Sequence, residues 1–370
     1  MGDSKVHWFS IVTSLTIVIF LTAMVAMILI RTLRQDLAGY NADRTEEEEK
    51  EDIGWKLVHG DVFRTPKYAN LLSVLVGTGA QVFAMTVFSI IAAAVGLMDP
   101  LLRGALLTGI LILFVLMGSL AGFVGTRVYT MFGLVNWRLN AFHIATLFPG
   151  VTFGIFFLLN LILWGQGSSG AIPFHEILVL LAFWFGISVP LVYIGSMIAQ
   201  KRPAVTHPLK VNTIPRQIPP QPWYMSTPTV SLVSGILPFG AVFVETFFIL
   251  SSIRLHRVYH FFGFLFTVFI ILVVTCIEIS IVMCYFQLCS GDYNWWWRSY
   301  FTSGSSALHL LIYSLVYFGT KLELIQFVSS FLFFGYIVLI SMFFFVLTGT
   351  IGFVSSLVFV RKIYSSVKFE

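Results

Sequence analysis

Nine runs of mostly apolar residues divide this chain: Trp8 to Ile30, Tyr68 to Leu97, Leu101 to Thr126, Ala141 to Trp164, Ile177 to Ala199, Val230 to Ile253, Tyr259 to Leu288, Tyr300 to Phe318 and Val328 to Val360. A helix needs roughly 20 such residues to cross the hydrocarbon of a bilayer, and each run approaches or exceeds that length. A membrane β-barrel would show segments of about ten residues alternating apolar and polar, and no such alternation is visible. The pattern predicts an all-α polytopic membrane bundle with nine transmembrane helices, one domain over residues 1–370.

Composition agrees. Hydrophobic residues make up 58% and charged residues 11% of the chain, and the mean hydropathy of +0.90 is outside the range of soluble domains. Three polar stretches remain: a charged loop over 31–67, a Pro-rich loop over 200–229 and a tail over 361–370. With nine crossings, seventeen of the 22 Lys and Arg residues fall on one side, and these three stretches lie there. The positive-inside rule then predicts a lumenal N-terminus and a cytosolic C-terminus. A basic excess confined to cytosolic loops also accounts for the net charge of +5, so no nucleic acid is expected as a partner.

A first helix with a lumenal N-terminus normally follows a signal sequence or a lumenal domain, and MGDSKVHW is neither. The expectation is that the chain is the membrane part of a longer protein. Cys276, Cys284 and Cys289 cluster in or near one run and read as reduced packing residues.

In the charged loop, EEEEKED (Glu46 to Asp52) reads as a solvated run, whereas Trp55, Leu57, Val58 and Phe63 predict that the following segment lies against the membrane face. Seven prolines between Pro203 and Pro228 keep the Pro-rich loop extended and stiff, either a docking surface or a strap. Pro149, Pro190 and Pro238 are candidate helix breaks, each freeing a backbone carbonyl. Such breaks mark a cavity or hinge in some bundles and an ordinary kink, satisfied by Ser or Thr, in others. The pairs Gly118/Gly122 and Gly150/Gly154 have the spacing that lets helices approach closely.

Glu245 and Glu278 sit well inside apolar runs, where a carboxylate costs roughly 2.5 to 3.5 kcal/mol, and are the candidate intramembrane functional residues. The alternative for each is a neutral acid hydrogen-bonded to a neighbouring helix. His143, Asn160, Gln81 and His309 read as packing residues with local partners. His256 and His260, with His175 and Glu176 on the same side, lack a third ligand of proper spacing, so no metal is predicted. No nucleophile motif and no phosphate-binding glycine loop is present; no enzyme, catalytic residue or cofactor is expected.

The segments GWKLVHGDVFRTP (Gly54 to Pro66), LILWGQGSSGAIPF (Leu161 to Phe174), VNTIPRQIPPQPWY (Val211 to Tyr224), GILPFGAVFVETFFIL (Gly235 to Leu250) and VLTGTIGF (Val346 to Phe353) give the chain its likeness to a known family. It resembles the membrane region of the nonaspanins, the transmembrane nine superfamily or endomembrane protein 70 homologues. The resemblance implies a large lumenal domain before the first helix and residence in Golgi and endosomal membranes. It also implies a role in sorting and surface delivery of other membrane proteins, particularly those with glycine-rich spans. Such proteins typically end in Lys-x-Asp or Lys-x-Glu, read by the coat complex of retrieval vesicles, and Lys368, Phe369 and Glu370 match that form. Expected partners are therefore cargo membrane proteins, a vesicle coat complex and membrane lipids. The alternative function is a proton-coupled transporter or channel using Glu245 and Glu278.

Overall fold

The computed structural model describes residues 54–95, 97, 103–168, 170–255, 262–321 and 327–366, together with 12, 15–16, 18–28, 30–31 and 34; the side chains of 94, 103–106, 244–245, 247–255, 262–264 and 327 lie outside the description. Among these residues all regular structure is helical. We number α1 (Val18–Ile28), α2 (Ala69–Ala94), α3 (Arg103–Leu116), α4 (Gly118–Met131), α5 (Trp137–Gly165), α6 (Phe174–Phe183), α7 (Val189–Gln200), α8 (Thr227–Leu255), α9 (Phe262–Cys289), α10 (Trp295–Gly304), α11 (Ser306–Lys321) and α12 (Phe327–Ser366).

Helix lies on every one of the nine runs. Five spans, Ala69–Ala93, Trp137–Gly165, Phe174–Gln200, Leu265–Cys289 and Val328–Ser366, are long and apolar enough to cross a membrane. A sixth counts if α3 and α4, bent by 41° at Met117, form one crossing. The α1 and α8 stretches Val18–Ile28 and Thr227–Phe243 are apolar but shorter. The predicted run Tyr300 to Phe318 is split at Ser305 into α10 and α11. Nine full crossings are thus an expectation that the described helices meet only in part.

The breaks have local causes. At the α3–α4 bend the carbonyl of Phe114 accepts a hydrogen bond from Nε2 of Gln81 on α2 at 2.7 Å, so a buried side chain takes a place in the backbone ladder. Ser305 Oγ donates to the Ser231 carbonyl of α8 at 2.5 Å, and Gly235 of α8 faces the same point, where a Cβ would meet the Ser305 backbone carbonyl carbon at 2.8 Å.

One end of the bundle carries the largest buried apolar cluster among the described residues. It joins Trp55, Val58, Val62 and Phe63 to the start of α2, the end of α4, Leu288, Trp295, Trp296, Tyr300 and the end of α12. The segment predicted to lie against the membrane face is instead packed into the bundle end: Val62 is fully buried and Trp55 is 5% exposed. At about 1.5 Å per residue, the 39 residues of Val328–Ser366 make α12 about 60 Å long. That is twice the hydrocarbon thickness, and the excess reaches into this cluster.

Candidate functional site

Three consecutive tryptophans organise the end of the bundle. A type of turn that places Gly291 at φ +80° brings the chain from α9 into α10, and a Cβ at Gly291 would press on Pro219 of the Pro-rich loop at 3.2 Å, so glycine serves both needs. Asp292 then accepts the Asn294 N–H at 2.9 Å. From the first turn of α10, Trp295 Nε1 donates to the Val62 carbonyl at 2.8 Å, Trp296 Nε1 to the Arg64 carbonyl at 2.9 Å and Trp297 Nε1 to the Lys67 carbonyl at 2.7 Å. Each ring buries apolar area while its N–H satisfies a backbone acceptor that no helix covers.

The Pro-rich loop lies across this assembly as a strap. Arg64 bonds both Asp61, through Nε at 3.0 Å, and the Asn212 carbonyl at 2.7 Å. Asn212 N–H donates to the Gly60 carbonyl at 2.8 Å, Arg216 N–H to Asp61 Oδ2 at 3.2 Å and Arg216 Nη1 to the Leu57 carbonyl at 2.9 Å. Further along, Arg127 Nη1 donates to the Pro203 carbonyl at 2.6 Å and Gln221 Nε2 to the Ser290 carbonyl at 3.0 Å. The end of α12 is tied in by Tyr364 OH on the Trp55 carbonyl at 2.6 Å and Arg361 Nη2 on the Thr206 carbonyl at 3.1 Å. Three of these bonds, from Arg64, Arg127 and Arg361, donate to strap carbonyls, acceptors that a proline-rich segment keeps while it loses N–H donors.

His207 of the strap stacks on Phe63, ring centroids 4.5 Å apart. Burial, and secondarily the nearby Arg361 charge, hold its imidazole below the usual histidine range, against a hydrogen bond to the Met131 backbone that opposes the shift.

The predicted site residues fall in separate places. Pro149 sits inside α5, which continues through it; Trp184 Nε1 donates to the Ala145 carbonyl, four residues earlier, at 2.9 Å. Pro190 lies in the first turn of α7, directly after a π-helical turn at Trp184–Ser188. Pro238 lies inside α8. Glu278, near the middle of α9, is 6% exposed; its Oε1 accepts the Thr22 hydroxyl of α1 and its Oε2 is buried with no partner among the described residues. Glu245 is on α8 with its side chain outside the description, and Lys368, Phe369, Glu370, His256 and His260 also lie outside the described residues. His143 pairs with Asn70 at 3.1 Å, Asn160 with the Ile172 backbone on both of its polar atoms, and His309 with the Ser305 carbonyl at 3.0 Å. Cys276 and Cys284 are buried free thiols.

The two glycine pairs diverge. Gly118 and Gly122 lie on the α4–α7 contact, where a Cβ at Gly118 would meet the Ser188 carbonyl at 3.3 Å and one at Gly122 would collide with the Val192 carbonyl. Among the described residues a Cβ at Gly154 meets nothing within 4 Å, and one at Gly150 meets only the Trp184 ring edge at 3.7 Å. The second pair is half-buried and makes no close contact with the described residues.

A family model described as Endomembrane protein 70 matches residues 1–327. The chain belongs to the endomembrane protein 70 family. Over all 370 residues it is 56% identical to Transmembrane 9 superfamily member 8 of Arabidopsis thaliana, covering 57% of that protein. It is 50% identical to member 4 of Homo sapiens, covering 58%, and 49% identical to member 2 of Mus musculus, covering 56%. The chain therefore spans somewhat more than half the length of these curated relatives. No solved structure matches it. Family membership and the apolar helices make this a multi-pass membrane protein of the endomembrane system.

The segment Gly54 to Pro66, one of the five that carried the family likeness, is held by the indoles of Trp295 and Trp296, and Trp297 holds Lys67 just beyond it. The tryptophans themselves were not singled out in the sequence; three donors in a row beside the turn signal Gly-Asp were the available sign.

Proposed function

We propose that this protein sorts other membrane proteins in Golgi and endosomal membranes, crossing nine times with its N-terminus lumenal and the strapped end of the bundle cytosolic, and that it takes clients with glycine-rich spans. The observation that carries this reading is the open glycine surface of α5. Gly150 and Gly154, both half-buried, lie one turn apart, and among the described residues nothing covers Gly154. Lipid tails are as apolar as leucine, so helices associate in a bilayer where small residues let backbones approach. A second glycine-rich helix fits such a surface from the membrane side. The carbonyl freed by Pro149 is already taken by Trp184, which leaves close backbone packing, not a spare acceptor, as the means of recognition. Lys368, Phe369 and Glu370 serve as the coat-read signal, following directly from a helix end anchored by Arg361 and Tyr364. The test is surface delivery of a reporter with a glycine-rich span in cells lacking the full-length protein, rescued with wild type or with Gly150→Leu/Gly154→Leu. Rescue by wild type alone supports the reading; equal rescue overturns it.

A second reading, proton-coupled transport, draws on Glu278, a nine-tenths buried carboxyl whose free oxygen has no protein partner among the described residues. Glu278→Gln in reconstituted vesicles should abolish a proton flux that wild type shows; absence of flux in wild type removes this reading.

A further inference from the structure

We propose that Arg127, Arg138, Lys201 and Arg202 form a binding site for the phosphate-bearing headgroup of an anionic phospholipid. The proposal is independent of the sorting role.

Three adjoining helices carry these four cations at one end of the bundle. α4 and α7 pack along their length through Gly118, Gly122 and Gly195, so Arg127, in the last two turns of α4, lies beside Lys201 and Arg202, which follow α7; Arg127 Nη1 is 3.5 Å from the Arg202 carbonyl. α5 starts beside α7: Tyr193 OH, two turns before Lys201, reaches the Arg138 carbonyl at 3.5 Å.

The four charges are uncompensated. Among the described residues none of them forms an ion pair. The Arg202 guanidinium lies 5.5 Å from the Phe123 ring centroid and that of Arg138 5.7 Å from Trp137, contacts that orient a cation without neutralising it. The carboxylates described at this end are engaged elsewhere: Asp61 with Arg64 and the Arg216 N–H, Asp292 with Gln287, the Asn294 N–H and Arg298. Arg127 donates to the Pro203 carbonyl, as Arg216 does to Leu57 and Arg361 to Thr206, so it is the strap-held member of the four and keeps its charge without a carboxylate partner among the described residues. Lys201, Arg138 and Arg202 donate to no protein acceptor among the described residues, and all three are exposed.

Apolar surface adjoins the charges. Leu139 and Phe142 on α5 and Ile194, Met197 and Ile198 on α7 are each between 43% and 50% exposed. They lie within two turns of the cations along α5 and α7, where the acyl chains of a lipid held by its headgroup would run. A phosphodiester or phosphomonoester above two acyl chains matches both halves of the site. The positive-inside bias accounts for basic residues on this side; it does not require three helices to gather four of them without counter-charges.

The test uses the full chain reconstituted in nanodiscs of phosphatidylcholine alone or with phosphatidylserine or phosphatidylinositol phosphate. Lipid retained through purification is read by native mass spectrometry, and thermal stability by tryptophan fluorescence. Wild type should retain anionic lipid and gain stability from it. Because each basic residue near an anionic surface contributes a factor of about five in affinity, Arg138→Gln/Arg202→Gln should retain it about 30-fold more weakly. Lys362→Gln, an exposed single change on α12 at the same end, should cost no more than the about five-fold of one surface charge. Arg138→Lys/Arg202→Lys, which keeps the charge, guards against a folding defect and should retain most of the binding. Equal retention by wild type and the double Gln variant, or an equal loss with Lys362→Gln, overturns the proposal. Stabilisation by inorganic phosphate or a soluble inositol phosphate as large as that by the lipid would show a free-anion site and overturn the lipid assignment.

Discussion

The indole N–H of Trp184 donates to the Ala145 carbonyl at 2.9 Å, the acceptor left without its helical partner by Pro149. A proline in a membrane helix is tolerated when a neighbouring helix supplies the missing donor, and here the donor comes from the π-helical turn that precedes Pro190. Two of the three intramembrane prolines are thus part of one arrangement. Trp184→Phe keeps the ring and removes the donor; thermal denaturation in detergent should show a loss of about 1 kcal/mol. An unchanged midpoint would mean that the carbonyl finds another donor.

The three indoles of α10 differ in burial. Trp295 is fully buried and Trp296 nearly so, whereas Trp297 is only partly buried. Trp295→Ala should destabilise by about 3–5 kcal/mol and expose the 54–66 segment to protease, with Trp297→Ala clearly milder. Limited proteolysis of the two variants side by side reads the difference.

Glycines within the bundle should not tolerate a methyl group. A Cβ at Gly352 would come within 2.6 Å of Ser280 Oγ and 2.8 Å of the Ser299 carbonyl, a backbone atom that cannot swing aside. Gly352→Ala should cost about 1–3 kcal/mol, whereas Gly154→Ala, with open space around it, should be neutral or slightly stabilising. Melting curves of the pair decide it.

His207 gives the strap a pH dependence. Its folded-state pKa lies below the ordinary value of 6.5 because burial, then the Arg361 charge, disfavours the cation. The unfolded chain therefore binds the proton more readily, so this group's contribution to stability is complete above the ordinary histidine range and is lost as pH falls below about 6.5. Protection of the strap from protease should weaken between neutral and mildly acidic pH, and His207→Gln should flatten that dependence. A wild-type profile unchanged by the substitution would contradict the assignment.

The sequence showed where helices form, because a charge-free run of twenty residues has few other fates. It did not show what the polar segments between them do. Trp295 lies 233 positions from the carbonyl it caps, and Thr22 lies 256 from Glu278; no local pattern joins such pairs. Spacing likewise shows which residues share a helix face but not whether that face has a neighbour. Gly118/Gly122 and Gly150/Gly154 are identical as patterns and opposite in surroundings. Glu278 was legible for the reverse reason: a carboxylate in an apolar run is conspicuous without any partner in view. The bend at Met117 was not, since its cause is Gln81 on a different helix.

The central claim is that a client helix meets the open glycine surface of α5. Its most direct measurement places a photoreactive amino acid at position 154 of the full-length protein in cells expressing clients with a glycine-rich or an all-leucine span. Crosslinks should form to the glycine-rich client and far fewer to the leucine one, with none from the same group at Gly122, which is covered by α7. Crosslinks from position 154 that are equal for both clients, or that reach lipid alone, would contradict it.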